Sequence, residues 1–181
     1  PEWVFFEIAC HANGGMSLGV YRDTLDDEVG YLVKSAKVKF AYAEDQEQVD
    51  KLINVQKKLK TKIKVIYDDP RGLEKLKNPN VINMKDLASV GKKQLDKNNK
   101  LYENLINKIS GETVSVLCTT SGTTSNPKLA MLPANKFINH ISNYLKVDPK
   151  SHLDEYVSVL PFPWIMEQTY GVGFNLLSGM K

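Results

Sequence analysis

Apolar residues recur along this chain in two rhythms, one helical and one strand-like. Trp3, Val4, Phe6, Ile8 and Ala9 predict a helix from Trp3 to Ala12, which Asn13-Gly14-Gly15 would end. A short strand is expected over Ser17 to Tyr21. Thr24 to Lys34 then reads as a helix, opened by a hydroxyl and by Asp26, Asp27 and Glu28, acids that suit a helix N-terminus. Val38 to Tyr42 is the next strand. Val49, Leu52, Ile53, Val55 and Leu59 lie mostly on one face of a helix over Gln46 to Leu59, and Ile63 to Tyr67 returns as a strand. Successive helix-and-strand units imply a fold of the α/β class, with alternating helices and mostly parallel strands.

The rhythm loosens further on. Asp68-Asp69-Pro70-Arg71-Gly72 is turn chemistry, and its paired aspartates need no metal or acid/base role to explain them. Val81-Ile82 is a candidate short strand. Lys85 to Lys108 is a lysine- and asparagine-rich helical stretch with an expected break near Gly91. Val114 to Cys118 alternates as a strand, and Tyr156 to Leu160 is expected to do the same before Pro161-Phe162-Pro163-Trp164 stops it. Ile165 to Ser178 is an apolar stretch carrying Gly171 and Gly173; glycines inside a helix cost about 1 kcal/mol each relative to alanine, which suggests a packing or channel role for them. The expected division is a first α/β part over 1–84, a peripheral helical segment over 85–110 and a third part over 111–181.

Composition removes several classes of function. The chain has 181 residues, 42% of them hydrophobic, enough for one sizeable core. Its formal net charge of +3 comes from lysines and arginines scattered among acids, with no aromatic-interleaved basic stripe, so nucleic acid is not an expected partner. No segment has the uninterrupted apolar length of a membrane span or the layout of a signal peptide, and a cytoplasmic location follows as the expectation. Cys10 and Cys118 lie in apolar surroundings without CxxC or metal-ligand spacing, and are expected as buried free thiols. His11, His140 and His152 belong to no Ser/His/Asp order or HExxH spacing, so each is assigned a helix-face or surface role.

One stretch carries chemistry. Thr119-Thr120-Ser121-Gly122-Thr123-Thr124-Ser125-Asn126-Pro127-Lys128 leaves the Val114 to Cys118 strand as a run of hydroxyls with one glycine, closed by a lysine. Polyphosphate oxygens take many short hydrogen bonds from N–H and hydroxyl donors, and a glycine lets the main chain come close. Lys128 adds a positive charge, and Pro127 stiffens the backbone before it. The common P-loop places glycine directly before its lysine and Ser or Thr directly after. Here Pro127 and Leu129 flank Lys128, which disfavours a P-loop NTPase.

The run from Thr120 to Lys128 resembles the phosphate-binding signature of the AMP-forming acyl-adenylating enzymes, roughly Thr-Ser-Gly-Thr-Thr-Gly-x-Pro-Lys, with Ser125 where the signature has glycine. A second departure is Met131-Leu132-Pro133-Ala134-Asn135, where relatives commonly carry a Ser-His pair ahead of the next helix, so that helix lacks the family's usual capping residues. Pro1-Glu2-Trp3 through Gly14-Gly15, Gly19-Val20-Tyr21, Ala43 to Gln48, Tyr67 to Leu73 and Asp154 to Pro161 look, in order, like the opening of bacterial long-chain fatty acyl-CoA synthetases.

The resemblance implies part of a large N-terminal AMP-binding domain. It implies an acid–thiol ligase that converts a fatty acid and ATP, with Mg2+, to acyl-adenylate and pyrophosphate, and then transfers the acyl group to coenzyme A. Thr119, Thr120, Ser121, Gly122, Thr123, Thr124, Ser125 and Lys128 would bind the phosphates, and Phe162, Trp164, Glu167, Tyr170 and Gly171 would border the acyl pocket. The family's adenine-binding, ribose-binding and catalytic-lysine segments have no counterpart in these residues, so no catalytic residue is assigned, no metal site either, and the chain by itself is expected to be inert. Peripheral contact with the inner membrane is compatible with this reading. The alternatives are an adenylating enzyme for an aryl or amino acid, or a non-catalytic nucleotide-binding α/β module.

Overall fold

A computed structural model describes residues 1–120 and 126–181, so Ser121, Gly122, Thr123, Thr124 and Ser125 lie outside the described residues. The elements are α1 (Glu2–Ala12), β1 (Ser17–Leu18), α2 (Asp26–Ser35), β2 (Phe40–Ala43), α3 (Gln46–Leu59), β3 (Lys64–Tyr67), β4 (Val81–Asn83), α4 (Met84–Lys97), α5 (Leu101–Ile106), β5 (Val114–Thr120), β6 (Lys128–Pro133) and α6 (Ala134–Val147), followed by a helical run composed of α7 (Ile165–Glu167), a π-helix (Gln168–Phe174) and α8 (Asn175–Ser178). The fold is α/β, as the alternation of periodicities implies. The residues gather into two compact units, one formed by Pro1–Phe6 with Arg22–Asn104, the other by Glu7–Tyr21 with Leu105–Lys181.

The first unit is built on a parallel sheet ordered β2-β3-β4. Phe40 stands opposite Lys64 and Ala43 opposite Tyr67, while Val65 stands opposite Val81. Parallel strands need covering helices, and α3 supplies the apolar face its spacing predicts: Val49 joins Ala43, Val65 and Leu73 in a buried cluster, with Leu52 and Ile53 packed on it. The Asp45 carboxylate accepts from the Gln48 backbone N–H at 3.1 Å, capping the helix, and Arg22 Nη2 donates to its other oxygen at 2.8 Å.

Two boundaries differ from the sequence reading. α2 begins at Asp26 with Leu25 in the cap position and no side-chain cap, so Thr24 does not open it. The three acids of the first turn answer the helix dipole, and the Thr24 carbonyl accepts from Lys51 Nζ at 2.8 Å. α4 runs unbroken through Gly91 to Lys97, because one exposed glycine costs only about 1 kcal/mol. The break falls at Asn98. No residue of α4 or α5 is buried.

The second unit is built on a mixed sheet ordered β1-β5-β6. β1 runs parallel to β5, with Ser17 opposite Val116, and β5 and β6 form an antiparallel hairpin. Ile141, Phe174 and Met180 form a buried apolar cluster in it, with Phe137, Leu145, Tyr156 and Tyr170 packed around them. The expected strand over Tyr156 to Leu160 is absent. Among the described residues Tyr156 makes one backbone bond, its N–H to the Lys181 carbonyl at 2.7 Å, and no described strand pairs with the segment. Val157 and Val159 are 76% and 75% exposed. Tyr156 is half-buried and Ser158 exposed, and both turn their hydroxyls to the Glu167 carboxylate. Cys10 and Cys118 are free but half-buried, less enclosed than the sequence suggests. No helix among the described residues is long and apolar enough to cross a membrane.

Asp45→Ala removes both the α3 cap and the Arg22 partner, and is expected to destabilise the protein by about 1–2 kcal/mol. Urea denaturation of the variant against the parent measures it. An unchanged midpoint would show that α3 owes nothing to this cap.

Candidate functional site

The hydroxyl-rich run is held at both ends by the β5–β6 hairpin. Thr119 stands opposite Leu129 and Thr120 opposite Lys128 in the ladder, and Thr120 Oγ1 donates to the Lys128 carbonyl at 3.4 Å. Sequence reading expects β5 but not β6, whose six residues carry alanine, methionine and proline in place of a β-branched alternation. The ladder brings Thr119, Thr120 and Lys128 to one end of the sheet, and Thr120 and Lys128 are exposed there. Ser121, Gly122, Thr123, Thr124 and Ser125 fall between them, outside the described residues. Five of the eight predicted phosphate ligands are therefore known only by the two strand ends that carry them.

The helix after β6 needs no Ser-His pair to start it. α6 has Pro133 in the cap position and no side-chain cap. The Ala134 N–H donates to the Thr113 carbonyl at 2.9 Å and the Asn135 N–H to the Gly111 carbonyl at 2.8 Å. These main-chain acceptors, from the residues leading into β5, replace the missing side chain. They also tie the hairpin to α6.

The predicted acyl-pocket residues divide into three groups. Trp164 is 45% exposed at the entry to α7. Phe162, two residues earlier, is half-buried, and its carbonyl accepts from Gln168 Nε2 at 2.9 Å. The turn holding both residues is pressed against β1, since a Cβ on Gly19 would stand 2.5 Å from Pro163 Cα, so only glycine admits that approach. Tyr170 belongs to an aromatic group instead. Its ring meets Phe174 edge-on at 5.1 Å and Tyr144 edge-on at 5.8 Å, and its hydroxyl donates to that of Tyr144 at 3.0 Å.

Glu167 and Gly171 form the third group. Glu167 is fully buried, with Tyr156 Oη donating to Oε2 at 2.8 Å and Ser158 Oγ to Oε1 at 2.5 Å. A buried carboxylate is tolerated when donors fill its lone pairs, and these two hydroxyls do so. Burial first, then the Glu167 hydrogen bond and charge, push the Tyr156 phenol up to about 12. Glu167 thus ties the extended Tyr156–Ser158 segment to the start of the π-helix. Gly171, one turn on, leaves room for the carboxyl: a Cβ there would lie 2.2 Å from Glu167 Oε1, and the three atoms nearest it all belong to Glu167. Short π-helical stretches are uncommon and cluster at functional sites.

Gly171→Ala alone is expected to cost about 1–3 kcal/mol through this overlap. In a Glu167→Ala background the same change should cost markedly less, giving a coupling of about 1 kcal/mol or more in a double-mutant cycle read by thermal unfolding. Additive effects would exclude the contact.

Among the described residues no group of three or more His, Cys, Asp and Glu side chains is gathered as for a metal ion. Long-chain-fatty-acid–CoA ligase 5 of Rattus norvegicus is 30% identical over 188 residues, 97% of this chain and 26% of its own length. Long-chain-fatty-acid–CoA ligase 1 of Cavia porcellus is 29% identical over 180 residues, 93% of this chain and 24% of its own. The chain spans about a quarter of the length of these relatives. Among solved structures, VinN with L-aspartate superposes with a TM-score of 0.70 at 18% identity, over 99% of this chain and 44% of VinN. ATP-bound MatB from Rhodopseudomonas palustris superposes with a TM-score of 0.68 at 14% identity, over 99% of this chain and 32% of MatB. At such identities the superpositions show a shared fold. The AMP-binding enzyme family matches residues 1–181, and with its hydroxyl-rich run mounted on the β5–β6 hairpin the chain belongs to that family.

Proposed function

We propose that this chain is part of a long-chain fatty acid–CoA ligase, contributing the phosphate-holding hairpin and one wall of the acyl site from residues 111–181. The observation that carries the proposal is the pairing of Thr120 with Lys128, which holds the two ends of a hydroxyl-rich run together beside a lysine. Hydroxyl donors and an ammonium suit the β- and γ-phosphates of ATP, which arrives with its Mg2+, and no carboxylate cluster for a resident metal is needed. The fatty acid as substrate rests on the relatives' names, two of them at 29% and 30% identity.

In the reaction so assigned, an oxygen of the fatty carboxylate attacks the α-phosphorus of ATP. The bond to the bridging oxygen breaks, and pyrophosphate leaves with the electron pair. The coenzyme A thiol then displaces AMP from the acyl carbon and loses its proton to solvent. The chain's own part is to hold and neutralise the leaving pyrophosphate, through Lys128 and the Thr119 and Thr120 hydroxyls, and to aim the acyl group. Trp164, Phe162 and Tyr170 would border the acyl chain, each buried methylene adding about 0.8 kcal/mol of affinity. Glu167 and Gly171 would set the shape of that wall without touching substrate.

Exchange of labelled pyrophosphate into ATP by the whole protein, dependent on long-chain fatty acid, tests the reading. Lys128→Ala should lower kcat/KM for ATP about tenfold to a hundredfold, the size expected for loss of one charge-assisted contact to phosphate. Exchange supported only by amino or aryl acids would overturn the fatty-acid assignment, and no exchange with any carboxylate would overturn the enzyme.

A further inference from the structure

The second unit holds another buried carboxylate, which the assigned chemistry does not use. Glu7 on α1 is 4% exposed. Ser17 Oγ, on the two-residue strand β1, donates to Glu7 Oε1 at 2.6 Å, stands 3.3 Å from the Ser115 carbonyl of β5, and has His11 Nε2 at 3.1 Å. Glu7 Oε2 is buried without a hydrogen-bond partner. A carboxylate with one oxygen satisfied and the other orphaned is costly in its charged form, whereas a protonated carboxyl can sit there as a neutral group. β1 lies beside β5, with Ser17 opposite Val116, so Glu7 and Ser17 brace the strand whose last residues are Thr119 and Thr120.

We propose that Glu7, as a neutral carboxyl hydrogen-bonded to Ser17, is a positioning residue for the phosphate-holding hairpin. The inference rests on the reading that β5 and β6 carry the phosphate ligands. Glu7 acts through Ser17 and the edge of β5, and touches no substrate. The titratable groups facing it are His11 and Cys10 from α1 and Cys118 from β5, with the Gln168 amide from the π-helix. Burial raises the Glu7 pKa above its ordinary value, the Ser17 hydrogen bond opposes part of that shift, and the Gln168 side chain lies close enough to oppose it further without bonding to Oε2. Burial raises the Cys10 and Cys118 thiols and lowers His11. A carboxyl with a raised folded pKa binds more protons folded than unfolded. Its stabilising effect is therefore whole below the ordinary value of 4.5 and is lost as pH climbs from there through the folded pKa.

The whole protein carrying Glu7→Gln, Glu7→Ala and Ser17→Ala tests this by two readouts. In pyrophosphate exchange, Glu7→Ala and Ser17→Ala should raise the ATP KM about tenfold while the fatty-acid KM stays within about twofold, and Glu7→Gln, which mimics the neutral carboxyl, should stay within about threefold of the parent. In thermal unfolding from pH 4.5 upward, the parent should lose stability relative to Glu7→Gln, with the difference levelling above the folded pKa. Should Glu7→Ala fail to fold, Ser17→Ala carries the kinetic arm. Both KM values moving together, Glu7→Gln as damaging as Glu7→Ala, or parallel pH–stability curves for the parent and Glu7→Gln would each overturn the proposal. The pH–stability arm needs no activity, so an inactive parent protein refutes the ligase reading and leaves Glu7 testable.

Discussion

Two strand ends separated by seven residues of sequence meet where Thr120 pairs with Lys128, and the placement of every phosphate-binding candidate depends on that pairing. Closing so short a loop costs little chain entropy, and the β5–β6 ladder supplies the free energy. The ladder is in turn braced on two sides. On one, β1 aligns with β5 through Ser17 and Val116. On the other, the Gly111 and Thr113 carbonyls cap α6, which packs Ile141 into the unit's apolar cluster. The hairpin's aim is thus inherited from packing at some distance from the loop it presents.

Buried carboxylates recur in this unit, each serving a different end of the candidate site. Glu167 is fully satisfied by Tyr156 and Ser158, and ties an extended segment to a π-helix without a ladder. Glu7 is half satisfied by Ser17 and sits behind β5. The contrast is one of donors: each Glu167 oxygen has a hydroxyl partner, whereas only one Glu7 oxygen does, and an orphaned buried oxygen favours the neutral form of Glu7. Glycines make both arrangements possible, Gly171 by leaving space for the Glu167 carboxyl and Gly19 by admitting Pro163 against β1.

Much of the first unit is legible in its residues. α3 spans Gln46–Leu59 as its apolar spacing and the Asp45 cap require, and β3 and β4 fall within a residue or so of their expected places. These elements are set by contacts within a few residues, or by a periodicity any partner surface would accept. The departures have local reasons too weak to decide alone. Gly91 is an insufficient breaker in a helix already capped by Asn83, and the Thr24 hydroxyl loses to three acids one turn later.

The second unit divides differently. The chemistry of the 119–128 run and the apolar alternation of β5 are readable from the residues, because hydroxyl content, glycine and lysine act through their identities. Only the folded chain shows that Lys128 begins a strand against Thr120, that Tyr156 and Ser158 bond the Glu167 carboxylate without pairing as a strand, and that Glu7 meets Ser17. Ser17 approaches the Ser115 carbonyl across 98 residues of sequence. No periodicity encodes that distance; an alternating segment becomes a strand only where another strand lies alongside, and a buried acid finds its donor only once the chain has closed around both.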